Sequence, residues 1–345
     1  MNQVNKLPQV FRAETAMARA VECARAGLGK TFPNPIVGAV ITSATGEFIS
    51  EGFHQGTDHA EVVAINAAKS IPTGAIIYVT LEPCNHQGKT PPCTEAIIDA
   101  GIKKVVYAVS DPNPVAAGGG EYLRASGIEV EQGLLESESA FDNRAWLTKF
   151  AKQRPRITWK IASTMDGKVA AADGTSKWIT SELARADVAL LRSQADAIVS
   201  STATVKADNP LLTSKGAGKN PVRIVMGRSE IASGSQILNA DAETIAIKSR
   251  DLQELITLAN SHGFNQLLIE SGPTFGTALL KAGLIDEVIL YQAPTFFGSG
   301  APSISDLGVS TISERLDFEI ADVEVIGADL KITLIKSANQ EEGGR

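Results

Sequence analysis

The sequence predicts an α/β protein built as two consecutive domains, and three observations carry that expectation. Short apolar runs alternate with helical segments along the whole chain, the pattern of sheets layered with helices. The length of 345 residues is about twice that of an ordinary domain, at roughly 100–200 residues each. The alternation is interrupted once, at the polar, proline-bearing stretch Ala151-Lys152-Gln153-Arg154-Pro155, and then restarts. The expected division is a first domain over 1–153, a second over 154–338 and a polar, disordered tail over 339–345.

The elements follow in order. Residues 14–27 read as an Ala- and Arg-rich helix stopped near Gly27. The apolar runs 36–42 and 47–54, joined through Ala44-Thr45-Gly46, read as a hairpin. A helix over 59–69 follows, with Asp58 as its N-cap. Residues 76–81 form a buried strand, 94–100 a helix ended by Gly101, and 104–109 the next strand. The run Gly118-Gly119-Gly120 turns into a helix over 122–125, and a further helix ends near Phe150. In the second half, strands are expected at 157–161, 197–200, 222–226, 244–247 and 267–269, and helices at 181–192 and 252–261. A strand over 288–293 and a hairpin over 323–335, turning at Gly327-Ala328-Asp329, close it. No internal repeat is visible.

Composition narrows the function classes. Apolar residues make up 43% and charged residues 21%, ordinary for a globular chain. The net charge of −7 opposes a long phosphate backbone, so a small-molecule substrate is expected rather than nucleic acid. A local basic pocket for one small phosphate is compatible with that charge. No run approaches the ~18 apolar residues of a membrane span, so no membrane partner is expected. The cysteines are three, Cys23, Cys84 and Cys93. An odd, low count with no visible signal peptide reads as reduced thiols in the cytoplasm.

Two of those thiols carry chemistry. His59-Ala60-Glu61 is followed by Pro83-Cys84 and then Cys93. One imidazole and two thiolates are a zinc set that leaves one tetrahedral position open, as a catalytic site requires. His59 would sit in the first turn of its helix and Cys93 at the start of the next, where helix N-termini favour thiolates. Glu61 is two residues beyond His59, close enough to shuttle protons between the activated water, a ring nitrogen and a departing amine. A His-x-Glu, a Pro-Cys and a further Cys in this order are the signature of zinc deaminases. The competing readings are a buried His with two structural Cys, or a closed zinc site with His86 as fourth ligand. Cys23, among Ala and Val, reads as a small core residue. Gly29-Lys30-Thr31 and Gly88-Lys89-Thr90 mimic the end of a phosphate-binding loop, but its first glycine would fall on Ala24 or Pro83. Lys89 reads either as a cation for substrate phosphate or as a solvated lysine.

The run Thr80-Leu81-Glu82-Pro83-Cys84-Asn85-His86-Gln87-Gly88-Lys89-Thr90-Pro91-Pro92-Cys93 resembles the deaminase loop of the bifunctional riboflavin-biosynthesis deaminase/reductase family. So do Pro33-Asn34-Pro35-Ile36-Val37-Gly38-Ala39-Val40, Gly52-Phe53-His54 and Asp111-Pro112-Asn113-Pro114. In the second half the resemblance runs through Ser163-Thr164-Met165-Asp166-Gly167-Lys168, Ser176-Lys177-Trp178-Ile179-Thr180, 204–213 from Thr204 to Thr213, and Glu270-Ser271-Gly272-Pro273-Thr274. It implies a cytidine-deaminase-like α/β/α sandwich followed by a dihydrofolate-reductase-like α/β domain. It implies a zinc-dependent hydrolytic deamination of 2,5-diamino-6-(phosphoribosylamino)pyrimidin-4-one, then NADPH reduction of the ribosyl group to ribityl. By the same resemblance Asn34, His54, His86 and Lys89 hold the pyrimidine and its phosphate. Ser163, Trp178, Thr204, Asp208 and the run Gly272, Pro273, Thr274, Phe275, Gly276, Thr277, Ala278 contact the cofactor. Ser176, Arg192, Leu212, Lys215 and Glu270 contact the second substrate. A homo-oligomer is expected.

Read on its own residues, the second half has no strand followed by G-x-G-x-x-G, so a Rossmann phosphate site is unsupported. The stretch 270–277 does place small residues between a strand and a helix, where backbone N–H groups and the helix dipole suit a phosphate. An ordinary strand-to-helix turn fits the same residues. Trp178 either walls the cofactor or packs in the core. Asp208 either reaches the site or forms a turn before Asn209-Pro210. Arg192 suits a helix C-terminus on charge alone. Lys160, Asp208 and Glu270 are candidates for polarising or protonating the opened ribose as hydride arrives from NADPH.

Four departures from the family pattern stand out. Lys215 replaces an arginine and loses its bidentate fork. Met226-Gly227-Arg228 replaces a run with Asp, the loop Gln55-Gly56-Thr57-Asp58 is short, and Asn85 replaces Ser. Two other functions compete with the bifunctional enzyme. One is a nucleic-acid base deaminase, opposed by the acidic charge and the lack of a basic, aromatic stripe. The other is a deaminase with a non-catalytic interaction or dimerisation module.

Overall fold

The structure, a computed structural model, describes residues 10–88 and 90–337. Lys89 and the 339–345 segment therefore lie outside the described residues. The chain divides into two compact units between Gln153 and Arg154.

The first unit contains α1 (Ala13–Arg25), β1 (Gly38–Thr42), β2 (Phe48–Phe53), α2 (Ala60–Ala67), β3 (Ile76–Leu81), α3 (Cys93–Asp99), β4 (Lys104–Val109), α4 (Gly119–Ala125), β5 (Glu129–Gln132), α5 (Glu136–Asp142) and α6 (Arg144–Lys152). Its five-stranded sheet has the order β2-β1-β3-β4-β5. β1 pairs antiparallel with β2 and β3, while β3, β4 and β5 run parallel. The central strands are unbroken apolar runs because both sheet faces are covered: every residue of β1 is buried, as are the last five of β3 and of β4. Helix α1 supplies Ala16, Met17 and Ala20 to the same core, beside Trp146 of α6.

The second unit contains β6 (Arg156–Thr164), β7 (Lys168–Ala170), α7 (Glu182–Gln194), β8 (Ala197–Ser201), α8 (Thr202–Asp208), β9 (Val222–Met226), β10 (Thr244–Ile247), α9 (Leu252–Ser261), β11 (Gln266–Ile269), α10 (Pro273–Lys281), β12 (Glu287–Ala293), β13 (Ala301–Pro302), β14 (Phe318–Ile326) and β15 (Asp329–Lys336). Its main sheet has the order β10-β9-β8-β11-β6-β12-β15-β14. The first six strands run parallel and the β15, β14 hairpin closes antiparallel against β12. Side-chain caps start three of its helices: Ser181 accepts from Ala184 N–H, Ser201 from Thr204 N–H and Asp251 from Gln253 N–H.

Two local expectations are corrected, and two elements carry no sequence signal. Asp58 does not cap α2. His59 itself occupies the N-cap with extended φ and ψ of −73° and 151°, and Asp58 instead exchanges backbone hydrogen bonds with Gln55 across a tight turn. Asp208 is the last residue of α8 rather than part of a turn, and Asn209 ends that helix at a left-handed φ of 43°. The weakly apolar β5, EVEQ, and the acidic α5, ESESAFD, offer no run or stripe to read.

Candidate active sites

In the first unit the two halves of the zinc signature meet where β3 ends and α2 and α3 begin. His59 at the head of α2 brings its Nδ1 to 3.1 Å from Cys93 Sγ and 3.5 Å from Cys84 Sγ. Cys93 is the first residue of α3, and its N–H points at Cys84 Sγ at 3.5 Å. The three donor atoms lie within 4.8 Å of one another. One nitrogen and two sulfurs at this spacing suit zinc's preferred donors and leave a coordination position to spare. His86 does not join them.

The loop that carries Cys84 is held from both sides. Glu82, buried at the end of β3, accepts from the N–H groups of Asp111 at 3.1 Å and Gly120 at 2.9 Å. Asn85 Oδ1 accepts from the Thr94 hydroxyl at 3.0 Å, tying the loop to α3. Gly119 lets α4 approach so closely that a Cβ there would stand 1.7 Å from the Pro83 carbonyl oxygen. The Glu82 clamp is not visible in the sequence, because its partners lie 29 and 38 residues away, and a glycine turn before α4 does not show what Gly119 approaches.

Glu61 is 3% exposed. Burial pushes its carboxyl up to about 7, an effect only partly opposed by its own backbone N–H. The hydrogen bond from Cys93 lowers the Cys84 thiol pKa, while that same donation and burial push the Cys93 thiol up. The Cys84 sulfur raises the His59 pKa against the cost of burial.

His54 and Asn34 line the same region. The backbone N–H of His54 reaches Val37 O at 2.9 Å, and its Nε2 stands 3.4 Å from Asn34 Nδ2. Its ring centroid is 5.4 Å from that of His59. Burial, with His59 nearby, lowers the His54 pKa. Asn143 fixes the segment leading into β1 by accepting from Ile36 N–H at 3.0 Å and donating to Ile36 O at 2.8 Å. His86 is half-buried, and its Nδ1 has no hydrogen-bond partner among the described residues.

In the second unit a cleft of about 680 Å³ opens beside β6, β8 and β11, a size ordinary for ligand sites. It is lined by Lys160, Ser176, Trp178, Arg192, Thr204, Asp208, Leu212, Lys215, Glu270, Gly272 and Pro273, among others. Glu270, just past β11, accepts from Arg192 Nε at 2.5 Å and Nη2 at 2.9 Å. Lys160 Nζ, on β6, is 3.9 Å from the same carboxylate. Burial alone would raise the Glu270 pKa, but Arg192 and then Lys160 and Lys215 outweigh it, so the carboxyl is lowered. Burial lowers the Lys160 pKa against the pull of Glu270. Trp178 is 68% exposed with the Arg185 guanidinium 4.6 Å above its ring, so it is a cleft wall and not core. Lys177, Arg185, Lys160, Arg192 and Lys215 give the lining an excess of positive charge over Asp208 and Glu270.

The remaining expected residues stand apart from this lining. Ser163 is buried in β6, paired with Gln292 of β12. Thr274, Phe275, Gly276, Thr277 and Ala278 belong to α10. Gly276 faces the Trp159 ring, where a Cβ would stand 2.1 Å away, so the glycine serves helix packing. Thr277 is buried and its hydroxyl accepts from Ser305 N–H. The N–H of Gly272 is donated to Thr204 Oγ1 at 3.1 Å. Sequence periodicity cannot separate a helix that opens on a ligand from one that packs on a tryptophan.

Two family models match the chain, one within each unit. Residues 11–109 match the cytidine and deoxycytidylate deaminase zinc-binding region, and 155–332 match the RibD C-terminal domain. The chain is 42% identical to riboflavin biosynthesis protein RibD of Mycobacterium tuberculosis over 335 residues, covering 95% of this chain and 98% of that protein. It is 37% identical to the Escherichia coli RibD, covering 93% and 99%. Among solved structures it is similar to the diaminohydroxyphosphoribosylaminopyrimidine deaminase/5-amino-6-(5-phosphoribosylamino)uracil reductase of Thermotoga maritima, with a TM-score of 0.87 at 36% identity over 94% of this chain and 98% of that one. The RibD of Acinetobacter baumannii gives a TM-score of 0.85, also at 36% identity. With a zinc-type donor set in a deaminase unit and a charged cleft in a reductase unit, the chain belongs to the RibD family of riboflavin biosynthesis enzymes.

Proposed function

We propose that residues 1–153 deaminate 2,5-diamino-6-(phosphoribosylamino)pyrimidin-4-one by hydrolysis, and that 154–338 then reduce the ribosyl group of the product, 5-amino-6-(phosphoribosylamino)uracil, to ribityl with NADPH. The observation that carries this reading is the convergence of His59, Cys84 and Cys93 within 4.8 Å, beside a buried Glu61, in a chain of RibD type. His59, Cys84 and Cys93 would hold zinc, which would supply the Lewis acidity that makes water nucleophilic near neutral pH. Glu61 takes one proton from the attacking water and passes it to the ring nitrogen, then takes the proton of the added hydroxyl and passes it to the leaving amine. A buried carboxyl whose pKa is raised above the usual carboxylate range is suited to do both. Asn34 and a neutral His54 orient the pyrimidine ring, and His86 offers its free nitrogen. Lys89, outside the described residues, is assigned to the phosphate.

In the second unit NADPH supplies the hydride. Trp178, Thr204, Asp208, Gly272 and Pro273, all in the cleft lining, are assigned to the cofactor. Ser176, Arg192, Leu212 and Lys215 are assigned to the substrate. Lys160 donates the proton that the opened ribose needs, because burial has made its ammonium a readier acid than usual. Glu270, held as a carboxylate by Arg192, keeps Lys160 in place and is unsuited to be the acid itself. The charged cleft favours this reading over a non-catalytic module.

The partners are small molecules, with no nucleic acid and no membrane, and the location is cytoplasmic. The net charge of −7 supports the first, and among the described residues no helix is long and apolar enough to cross a membrane. A homo-oligomer is supported by the edge strand β14, which exposes Ile320, Val323 and Val325. A light-scattering mass of one chain would remove it. The deciding experiment couples metal analysis with ammonia release from the diaminopyrimidinone and NADPH consumption in the same tube. About one zinc per chain, then ammonia, then NADPH oxidation is expected; ammonia without NADPH oxidation would leave only the deaminase half of the reading.

A further inference from the structure

Arg223, on β9, is a fully enclosed charge that no chemistry described above uses. Its side chain is 0% exposed, and among the described residues it forms no ion pair within 4.0 Å. Instead its guanidinium gathers oxygens from two loops. Nη1 donates to Leu211 O at 3.2 Å and Asn239 Oδ1 at 2.8 Å. Nη2 donates to Asn239 O at 2.7 Å and, through a short bond, to Ala242 O. Asn239 is itself aligned by donating to Asp241 Oδ2 at 2.7 Å. Its Nε has no hydrogen-bond partner among the described residues, so the cost of burying this charge is offset through Nη1 and Nη2 alone, and those bonds tie the two loops together.

One of the two loops is the floor of the reductase cleft. Residues 209–221 join α8 to the strand β9, and Asn209, Pro210, Leu211, Leu212 and Lys215 of this loop line the cleft. Three of its non-glycine residues adopt left-handed backbone angles: Asn209 at φ 43°, Leu212 at 49° and Lys215 at 50°. Left-handed conformations of bulky residues are sparsely populated and persist only where the surroundings over-determine them. Besides Arg223, the loop is held by Arg192 Nη1 on Thr213 O at 3.1 Å and by Ser214 N–H on Asn220 Oδ1 at 2.9 Å. The Leu211 carbonyl, next to Leu212, falls to Arg223.

We propose that Arg223 is a positioning residue of the reductase: by clamping Leu211 O to the Asn239 loop it fixes the left-handed bends that present Leu212 and Lys215 to the phosphoribosyl substrate. Arg223 touches neither substrate nor cofactor, so it acts through the loop. This rests on the reading of the cleft as the reductase site. A lysine in its place keeps the charge but offers one nitrogen in place of a planar fork and cannot span both loops.

The test uses the full chain with Arg223→Lys and, as a milder second variant, Asn239→Ala, which removes one acceptor of the Arg223 guanidinium together with the side-chain bonds to Asp241 and leaves the backbone acceptors in place. Ammonia release from the diaminopyrimidinone serves as the internal measure of folded protein. For Arg223→Lys the expected result is a KM for the deaminated substrate raised about tenfold, with kcat for NADPH oxidation within about threefold and ammonia release unchanged. Asn239→Ala should shift KM the same way by less. If Arg223→Lys fails to accumulate, the KM of Asn239→Ala decides. An unmoved KM, whether kcat is unchanged or has fallen with the folded fraction, overturns the inference, since a merely structural arginine would change only the amount of active enzyme. Wild-type protein that consumes no NADPH overturns the reading of the cleft itself, which is a separate outcome.

Discussion

Glu61 illustrates how environment, more than residue type, fixes a chemical role. An exposed glutamate is a carboxylate at neutral pH, whereas a 3% exposed one, pushed up to about 7, can both accept and return a proton. Replacing it with glutamine keeps the volume and the hydrogen-bonding edge but removes that capacity. Glu61→Gln is expected to retain zinc at wild-type stoichiometry and to lose deamination by about 10²- to 10⁴-fold, the range for a positioned general acid-base. Metal analysis and ammonia release on the same sample check it, and near wild-type ammonia release would mean the proton moves by another route. At this scale the sequence was informative where chemistry restricts residue types. His59, Cys84, Cys93 and Glu61 could be read because few other combinations hold a metal and move a proton. The partnership of Arg192 with Glu270, 78 residues apart, could not, since each residue alone is ordinary.

At the scale of elements, the zinc donors depend on how a loop is packed between α3 and α4. Buried strands such as β3 and β4 were legible because a sheet covered on both faces demands continuous apolar residues. The packing that aims Cys84 was not legible, because it depends on a missing side chain. Gly119 sits against the Pro83 carbonyl with room for hydrogen only. In Gly119→Ala the new methyl collides with backbone, which cannot swing aside as a flexible side chain would, so Pro83 and with it Cys84 must shift. A displacement on the order of 1 Å costs about 10²-fold in rate at an oriented site. Gly119→Ala is therefore expected to lower ammonia release by about that factor and to weaken zinc retention, with NADPH oxidation of supplied deaminated substrate unchanged. Equal loss of both activities would point instead to general misfolding. The same reasoning explains Gly276, read from the sequence as part of a phosphate turn and found packed on Trp159: a small residue before or within a helix marks a close approach without saying to what.

At the scale of the whole molecule, two chemistries are carried by two compact units that divide between Gln153 and Arg154. Among the described residues, His59, Cys84 and Cys93 are the one cluster of three such donors able to hold a metal ion. The cleft of the second unit is built from lysine, arginine, carboxylate and backbone, with no histidine or cysteine in its lining. Metal dependence should therefore be confined to the first reaction. Treating the full chain with a zinc chelator and removing the complex is expected to abolish ammonia release, while NADPH oxidation continues at its original rate when 5-amino-6-(phosphoribosylamino)uracil is supplied directly. Adding zinc back should restore the first reaction, because the donor thiolates take the ion up again as they lose their protons. If chelation instead stopped both reactions in parallel, and zinc restored both, the second unit would depend on a folded, metal-bound first unit, and treating the two chemistries as independent would be wrong.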